Sequence, residues 1–229
     1  MKKRDITWSL AMLIIIGLFI YIATTSAFGE ATKLHPYLMG FLKVSILATI
    51  GELVSMRISS GIFKCPKGIV YKFIVWGFIG MAFALVFQLF SGGVVSAKTQ
   101  GLLPYGYSDS LDKFLTALLT SALMNLIFAP TFMATHRITD TYIDLGEGSL
   151  KKIHSIKMDE VLSTIDWKGF IQFVVFKTIP IFWIPAHTIT FLLPPEYRVI
   201  MAAFLSLFLG AILAYAKRPA KVTTNTLSQ

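Results

Sequence analysis

The stretch from Ile69 to Phe90, IVYKFIVWGFIGMAFALVFQLF, carries a single charge, Lys72, in 22 residues. At a rise of about 1.5 Å per residue, a helix of this length covers the roughly 30 Å of a bilayer's hydrocarbon. The stretch does not alternate polar and apolar residues at period two, as a barrel strand would. Backbone amides in lipid must pair within the segment, which leaves a transmembrane helix.

Five further stretches read the same way: Trp8–Phe28, Tyr37–Met56, Phe114–Thr135, Phe170–Leu193 and Val199–Tyr215. Together they predict an all-α polytopic bundle of six membrane helices, one membrane domain over residues 1–229. Composition agrees: 55% of residues are hydrophobic, mean hydropathy is +0.70 and 14% are charged, against about 25% charged in a soluble domain. The net charge of +9 does not indicate a nucleic-acid partner, because the charges sit in short segments between apolar runs. A lone Cys65 excludes an internal disulfide and a cysteine metal cluster.

Charge bias sets the expected orientation. With the N-terminus inside, Lys2, Lys3, Arg4, Arg57, Lys64, Lys67, Lys72, Arg137, Lys151, Lys152, Lys157, Lys168, Lys217, Arg218 and Lys221 fall on the cytoplasmic side. Lys33, Lys98, Lys113 and Arg198 fall opposite. Fifteen against four, with Lys43 and Lys177 inside spans, predicts both termini in the cytoplasm. The first apolar run is longer than a leader's core of about 7–15 residues, so it reads as a retained span rather than a cleaved signal peptide.

Local signals fill in the boundaries. Pro66 suits a helix start, and Asp109 with Asp112 suits the N-terminal cap of the fourth span. Ser91-Gly92-Gly93 and Leu193-Pro194-Pro195 read as stops. Residues 149–165 carry a cytoplasmic amphipathic segment (Leu150, Ile153, Met158, Val161, Leu162, Ile165), and residues 217–229 read as a disordered tail. Small residues at spacing four predict close helix packing: Ala202, Ser206, Gly210 and Ala214; Ala117, Ser121, Asn125 and Ala129; Gly80, Ala84 and Gln88.

Ionisable groups at membrane depth cost about 2.5–3.5 kcal/mol each on insertion scales, so each needs a reason. Lys43, Glu52, Lys177 and His187 are the candidates, with Asn125 as a neutral polar group among them. Lys43 and Glu52 lie nine residues apart, too far along one helix to pair. Glu52 is expected to pair with Lys177 or with Arg57. Pro180 and Pro185 predict a kinked or unwound fifth span, a feature that lines cavities in membrane proteins. The four histidines form no metal pair, and no nucleophile or phosphate-cradling motif occurs. The expectation is a non-enzyme without cofactor or metal.

His35-Pro36-Tyr37 followed by Gly51-Glu52-Leu53-Val54-Ser55, then Trp76-Gly77-Phe78-Ile79-Gly80, Asn125 to Pro130, Trp183-Ile184-Pro185 to Phe191, and Pro194-Pro195-Glu196-Tyr197-Arg198 occur in an order and spacing that resembles a known group. It is the Mpv-seventeen / peroxisomal-membrane-protein-twenty-two family of small membrane proteins, matched over residues 35–216. Met124 and Thr190 depart from the family's Asp and Asn, no proline follows Gly80, and residues 8–28 form an added span. The resemblance implies a pore or modulator of permeability for small solutes. It singles out Gly51, Glu52, Asn125, Pro130, Trp183, Pro185, Phe191, Pro194 and Arg198.

The expected function is therefore a small-solute pore lined by Lys43, Glu52, Asn125, Lys177 and His187, anion-preferring through its lysines. A non-conducting scaffold or assembly partner is the alternative, and a secondary transporter the third. Expected partners are the bilayer, small solutes and further copies of the chain. The missing Arg-rich presequence favours a prokaryotic plasma membrane over an organellar one.

Overall fold

The computed structural model describes residues 3–61 and 65–216. Among them there is no strand. The helices are α1 (Lys3–Ala23), α2 (Ser26–Leu34), α3 (Pro36–Ser60), α4 (Ile69–Thr99), α5 (Asp109–Leu145), α6 (Leu150–Ser155), α7 (Met158–Thr164), α8 (Trp167–Gly169), a π-helix (Phe170–Trp183), α9 (Ile184–Leu192) and α10 (Pro195–Ala216). Five helical segments are long and apolar enough to cross a membrane, and α1 with α2 makes a sixth if that bent pair is one span. The protein is an all-α, multi-pass integral membrane protein. Lys2, Lys64, Lys217, Arg218, Lys221 and the expected tail lie outside the described residues.

Several boundaries differ from expectation. The first span does not run on to Phe28: the chain bends by 77° between α1 and α2. The hydroxyls of Thr24 and Thr25 donate back to the Tyr21 and Ile22 carbonyls at 2.7 Å each, which closes α1. Thr25 Oγ1 then accepts from the Phe28 N–H and caps α2, carrying Phe28 into the core. Helix α4 does not stop at Ser91-Gly92-Gly93 but continues to Thr99. Each glycine costs about 1 kcal/mol of helix propensity, a smaller penalty than unpaired backbone in lipid. The cap of α5 is Ser108, whose hydroxyl accepts from Leu111, while Asp109 and Asp112 occupy its first turn.

Past Thr135, α5 continues to Leu145, so the connector is shorter than the sequence suggests. Its amphipathic segment is two short helices, α6 and α7, broken at Ile156 and Lys157. Val161 and Ile165 are buried, whereas Leu150, Met158 and Leu162 are exposed. The connector packs against the protruding end of α5. Glu147 accepts from Lys67 at 2.9 Å and Lys152 at 2.7 Å, clasping it to the α3–α4 turn. These two ammonium groups hold the Glu147 carboxyl down to about 2. This face of the bundle is termed the connector end and the other the α2 end.

The small residues do bring helices together. A Cβ built on Gly40 would stand 2.5 Å from the Gly80 carbonyl oxygen, and one on Gly80 would overlap Gly40, so α3 and α4 cross backbone to backbone. On α10, Gly210 faces Ser55 and Leu207 faces Gly51 of α3. Ala117, Ser121, Asn125 and Ala129 are all buried, and the Ser121 hydroxyl donates to the Ile184 carbonyl at 2.7 Å, tying α5 to α9. Replacing Gly80 by Ala is expected to cost about 1–3 kcal/mol through overpacking, and Gly92→Ala, with nothing within 4 Å, to cost nothing. Thermal unfolding in detergent checks both, and equal melting temperatures would contradict the crossing.

Candidate functional site

At the connector end, three helices meet on one ammonium group. Lys72 Nζ lies 2.8 Å from Glu52, 3.1 Å from Asp140 and 2.9 Å from Asp144, with 6% of its side chain exposed. Glu52 therefore pairs with Lys72 rather than with Lys177 or Arg57. Asp140 and Asp144 sit four residues apart on α5 and so share the face turned to α4. Lys177 is exposed on the outside of the π-helix and has no carboxylate partner among the described residues. Its long stem suits an ammonium reaching towards the membrane surface. Neither Glu52 nor Lys177 lines a cavity described below.

At the α2 end, Lys43 is 1% exposed. It donates to Thr32 Oγ1 at 2.7 Å and to the Glu196 carbonyl at 3.1 Å, and stands 4.3 Å above the Phe28 ring. The bend between α1 and α2 thus supplies a hydroxyl and a ring face to this ammonium. Lys98, also buried, donates to Asp112 and Thr116 at 2.6 Å each. Arg198 donates from Nε to the Leu193 carbonyl and from Nη2 to the Phe191 carbonyl, satisfying the free end of α9. Of the motif residues the resemblance names, Phe191 and Arg198 are thereby joined. Gly51 packs on α10, Pro130 lies inside α5, Pro185 stands exposed in the first turn of α9, and Pro194 stands exposed just beyond its end.

The fifth span departs from ordinary α-helical winding over Phe170–Trp183. It widens into a π-helix, as shown by Thr178 Oγ1 donating to the Phe173 carbonyl and the Ile184 N–H to the Ile179 carbonyl, both five residues back. π segments accompany functional sites in many proteins. Helix α10 stands off from it and from α5, reaching them through Leu205 and Leu209.

The space so left is a chamber of about 320 Å³ among α4, α5, the π-helix, α9 and α10. Its walls are aromatic: Trp76, Phe83, Phe87, Phe128, Phe132 and Trp183. His136, Arg137 and Asp140 mark its connector end, Asn125 and His187 its depth. Beyond lie two vestibules at the α2 end, of about 590 and 780 Å³, which share Gln88, Pro195 and Arg198. Lys33, Lys43 and Glu196 line the first of these. Phe87 lines both this vestibule and the chamber, so its ring is part of the wall between them. Phe83, His187 and Phe191 hold that ring at centroid distances of 5.6, 5.7 and 5.3 Å.

Of the five predicted intramembrane polar residues, the structure brings Asn125 and His187 to the chamber and Lys43 to the vestibule. Sequence reasoning missed Lys72 by counting it only among the cytoplasmic-side charges, and missed the aromatic walls. The signal for the walls was there: Phe83 and Phe87, Phe128, Phe132 and His136, and Trp183, His187 and Phe191 each recur at spacing four, which stacks rings on one helix face.

Comparisons with protein-family profiles, with curated proteins and with solved structures find no match to this chain. Replacing Lys72 by Met leaves three carboxylates facing one another, and is expected to cost less than the ~3–5 kcal/mol of an uncompensated buried charge, because Asp140 and Asp144 are partly exposed. Adding Glu52→Gln is expected to restore part of that loss. Unfolding of both variants in detergent checks this, and an unchanged Lys72→Met melting temperature would remove the cluster from the account.

Proposed function

We propose that the protein is a small-solute pathway through the membrane, closed here at Phe87. The observation that carries this reading is that one aromatic side chain, Phe87, lines both the chamber and the vestibule. Rotation of a single ring would join them, and aromatic constrictions can gate by excluding water. The vestibule holds Lys33, Lys43 and Arg198 against Glu196, so negatively charged solutes are favoured at that mouth. Lys177 has no part in this selectivity.

The charge distribution along the loops supports the connector end as the cytoplasmic one, with both termini there. The membrane assigned is a prokaryotic plasma membrane, with an organellar membrane as the alternative. Kinship with the Mpv-seventeen family is part of the same proposal and rests on the motif order quoted above. A non-enzymatic role fits the absence of nucleophile motifs in the sequence. The second reading, a non-conducting scaffold, draws on α1, whose Leu13, Ile14, Leu18 and Tyr21 are all exposed and which touches the rest of the bundle mainly through α2.

Efflux of small solutes from reconstituted vesicles tests the proposal. Wild-type protein is expected to leak slowly above empty vesicles, and Phe87→Ala at least about tenfold faster. Lys33→Glu is expected to lower the preference for anions, and Lys177→Glu to leave it unchanged. Folded Phe87→Ala protein that leaks no more than empty vesicles would sink the pathway and favour the scaffold.

A further inference from the structure

Residues on the chamber wall carry polar atoms that the protein itself does not satisfy. Asn125 is 2% exposed, and its Nδ2 donates twice, to the Ser121 carbonyl at 2.8 Å and the Ser121 hydroxyl at 3.3 Å. Its Oδ1 receives no donor from the described residues, although Asn125 lies on the chamber wall. His187 is 6% exposed, lines the same chamber, and makes only ring contacts, with Trp183 and Phe87. Its Nδ1 and the Nε1 of Trp183 have no hydrogen-bond partner. Buried polar groups are nearly always paired, because leaving one unsatisfied costs about 1–3 kcal/mol. Thr49, whose Oγ1 is the third such atom among the described residues, lines neither chamber nor vestibule.

The arrangement selects a ligand. Asn125 and His187 flank the Ser121–Ile184 tie, about one helix turn to either side on antiparallel helices, so roughly 10 Å separates them along the bundle. That is the length of a two-ring aromatic molecule. With Nδ2 engaged, Asn125 offers an acceptor alone, which calls for an O–H or N–H on the ligand. Phenylalanine and tryptophan rings supply the remaining surface, which suits a flat apolar body. No ionised side chain stands at the depth of Asn125 and His187; Arg137 and Asp140 belong to the connector end. A charged ligand would therefore lose its hydration without a counter-charge. The chamber as a whole, which extends along α5 to Asp140, has a volume near 320 Å³, at the lower end of the range of small-molecule sites, about 300–1,000 Å³.

We infer that the chamber is a binding site for an uncharged, flat aromatic molecule bearing a hydroxyl or N–H donor, which bonds Asn125 Oδ1. The ring lies among Phe83, Phe87, Phe128 and Phe132, and His187 closes the far end. This site goes beyond the pathway reading, since it is defined by binding and stands whether or not solute crosses.

Equilibrium dialysis of the full chain in detergent, with protein-free micelles as reference, tests it using three probes of one shape. Naphthol carries a donor, methoxynaphthalene can only accept, and naphthalene does neither. Naphthol is expected to bind saturably at one per chain and about fivefold to tenfold tighter than methoxynaphthalene, the worth of one hydrogen bond. Asn125→Leu is expected to bring naphthol to the level of methoxynaphthalene while leaving the latter unchanged. Equal affinities of the three probes for wild-type protein, or uptake no greater than by micelles, would overturn the inference without recourse to any variant. Neither result depends on flux, so failure of the pathway and failure of the site are read separately.

Discussion

A charge in hydrocarbon has to be balanced, and the places where this chain balances its charges determine where its helices meet. Lys72 gathers Glu52 of α3 and Asp140 and Asp144 of α5 onto α4. Lys98 joins α4 to the start of α5 at the other end. Lys43 reaches from α3 to a hydroxyl on α2 and a carbonyl at the start of α10. Each tie sits near one end of the bundle, and each would be weak on an exposed surface. Removed from water, such pairs are costly to break, so they define the assembly even where they add little net stability.

Between the two polar ends the packing is of another kind. Where α3 crosses α4, glycines let the backbones touch; where α10 faces the π-helix, the backbones stand apart and rings fill the margin. The widened fifth span belongs with this looseness. A backbone bonded five residues back presents its side chains at a different spacing from an α-helix, and so cannot match the ridges of a neighbouring α-helix over many turns. The chamber results from that mismatch, and Phe87, held by Phe83, His187 and Phe191, walls it from the vestibule.

Five of the six expected spans were legible as continuous segments, because hydrocarbon imposes a length and a polarity on each. Small residues at spacing four likewise foretold the contacts around Ala117, Ser121 and Ala129. What was not legible depends on partners far apart in the chain. Glu52 could be recognised as needing a cation, but the choice fell on Lys177 or Arg57, and Lys72 became a candidate only once α3 and α4 had positions. The stop expected at Gly92 and Gly93 failed because a rule for helices in water was applied where unpaired amides have no water to turn to. Asn125 and His187 were singled out as polar groups at depth, whereas the aromatic residues beside them were not.

Accessibility of the chamber from each side of the membrane tests the central claim most directly. Ser206, which lines the chamber, is replaced by Cys in a Cys65→Ser background, and oriented vesicles are treated with a membrane-impermeant maleimide on either side. The account predicts labelling from the connector end alone while Phe87 is present, and from both sides once Phe87 is replaced by Ala. Labelling that ignores Phe87, or that enters only from the α2 end, would contradict it.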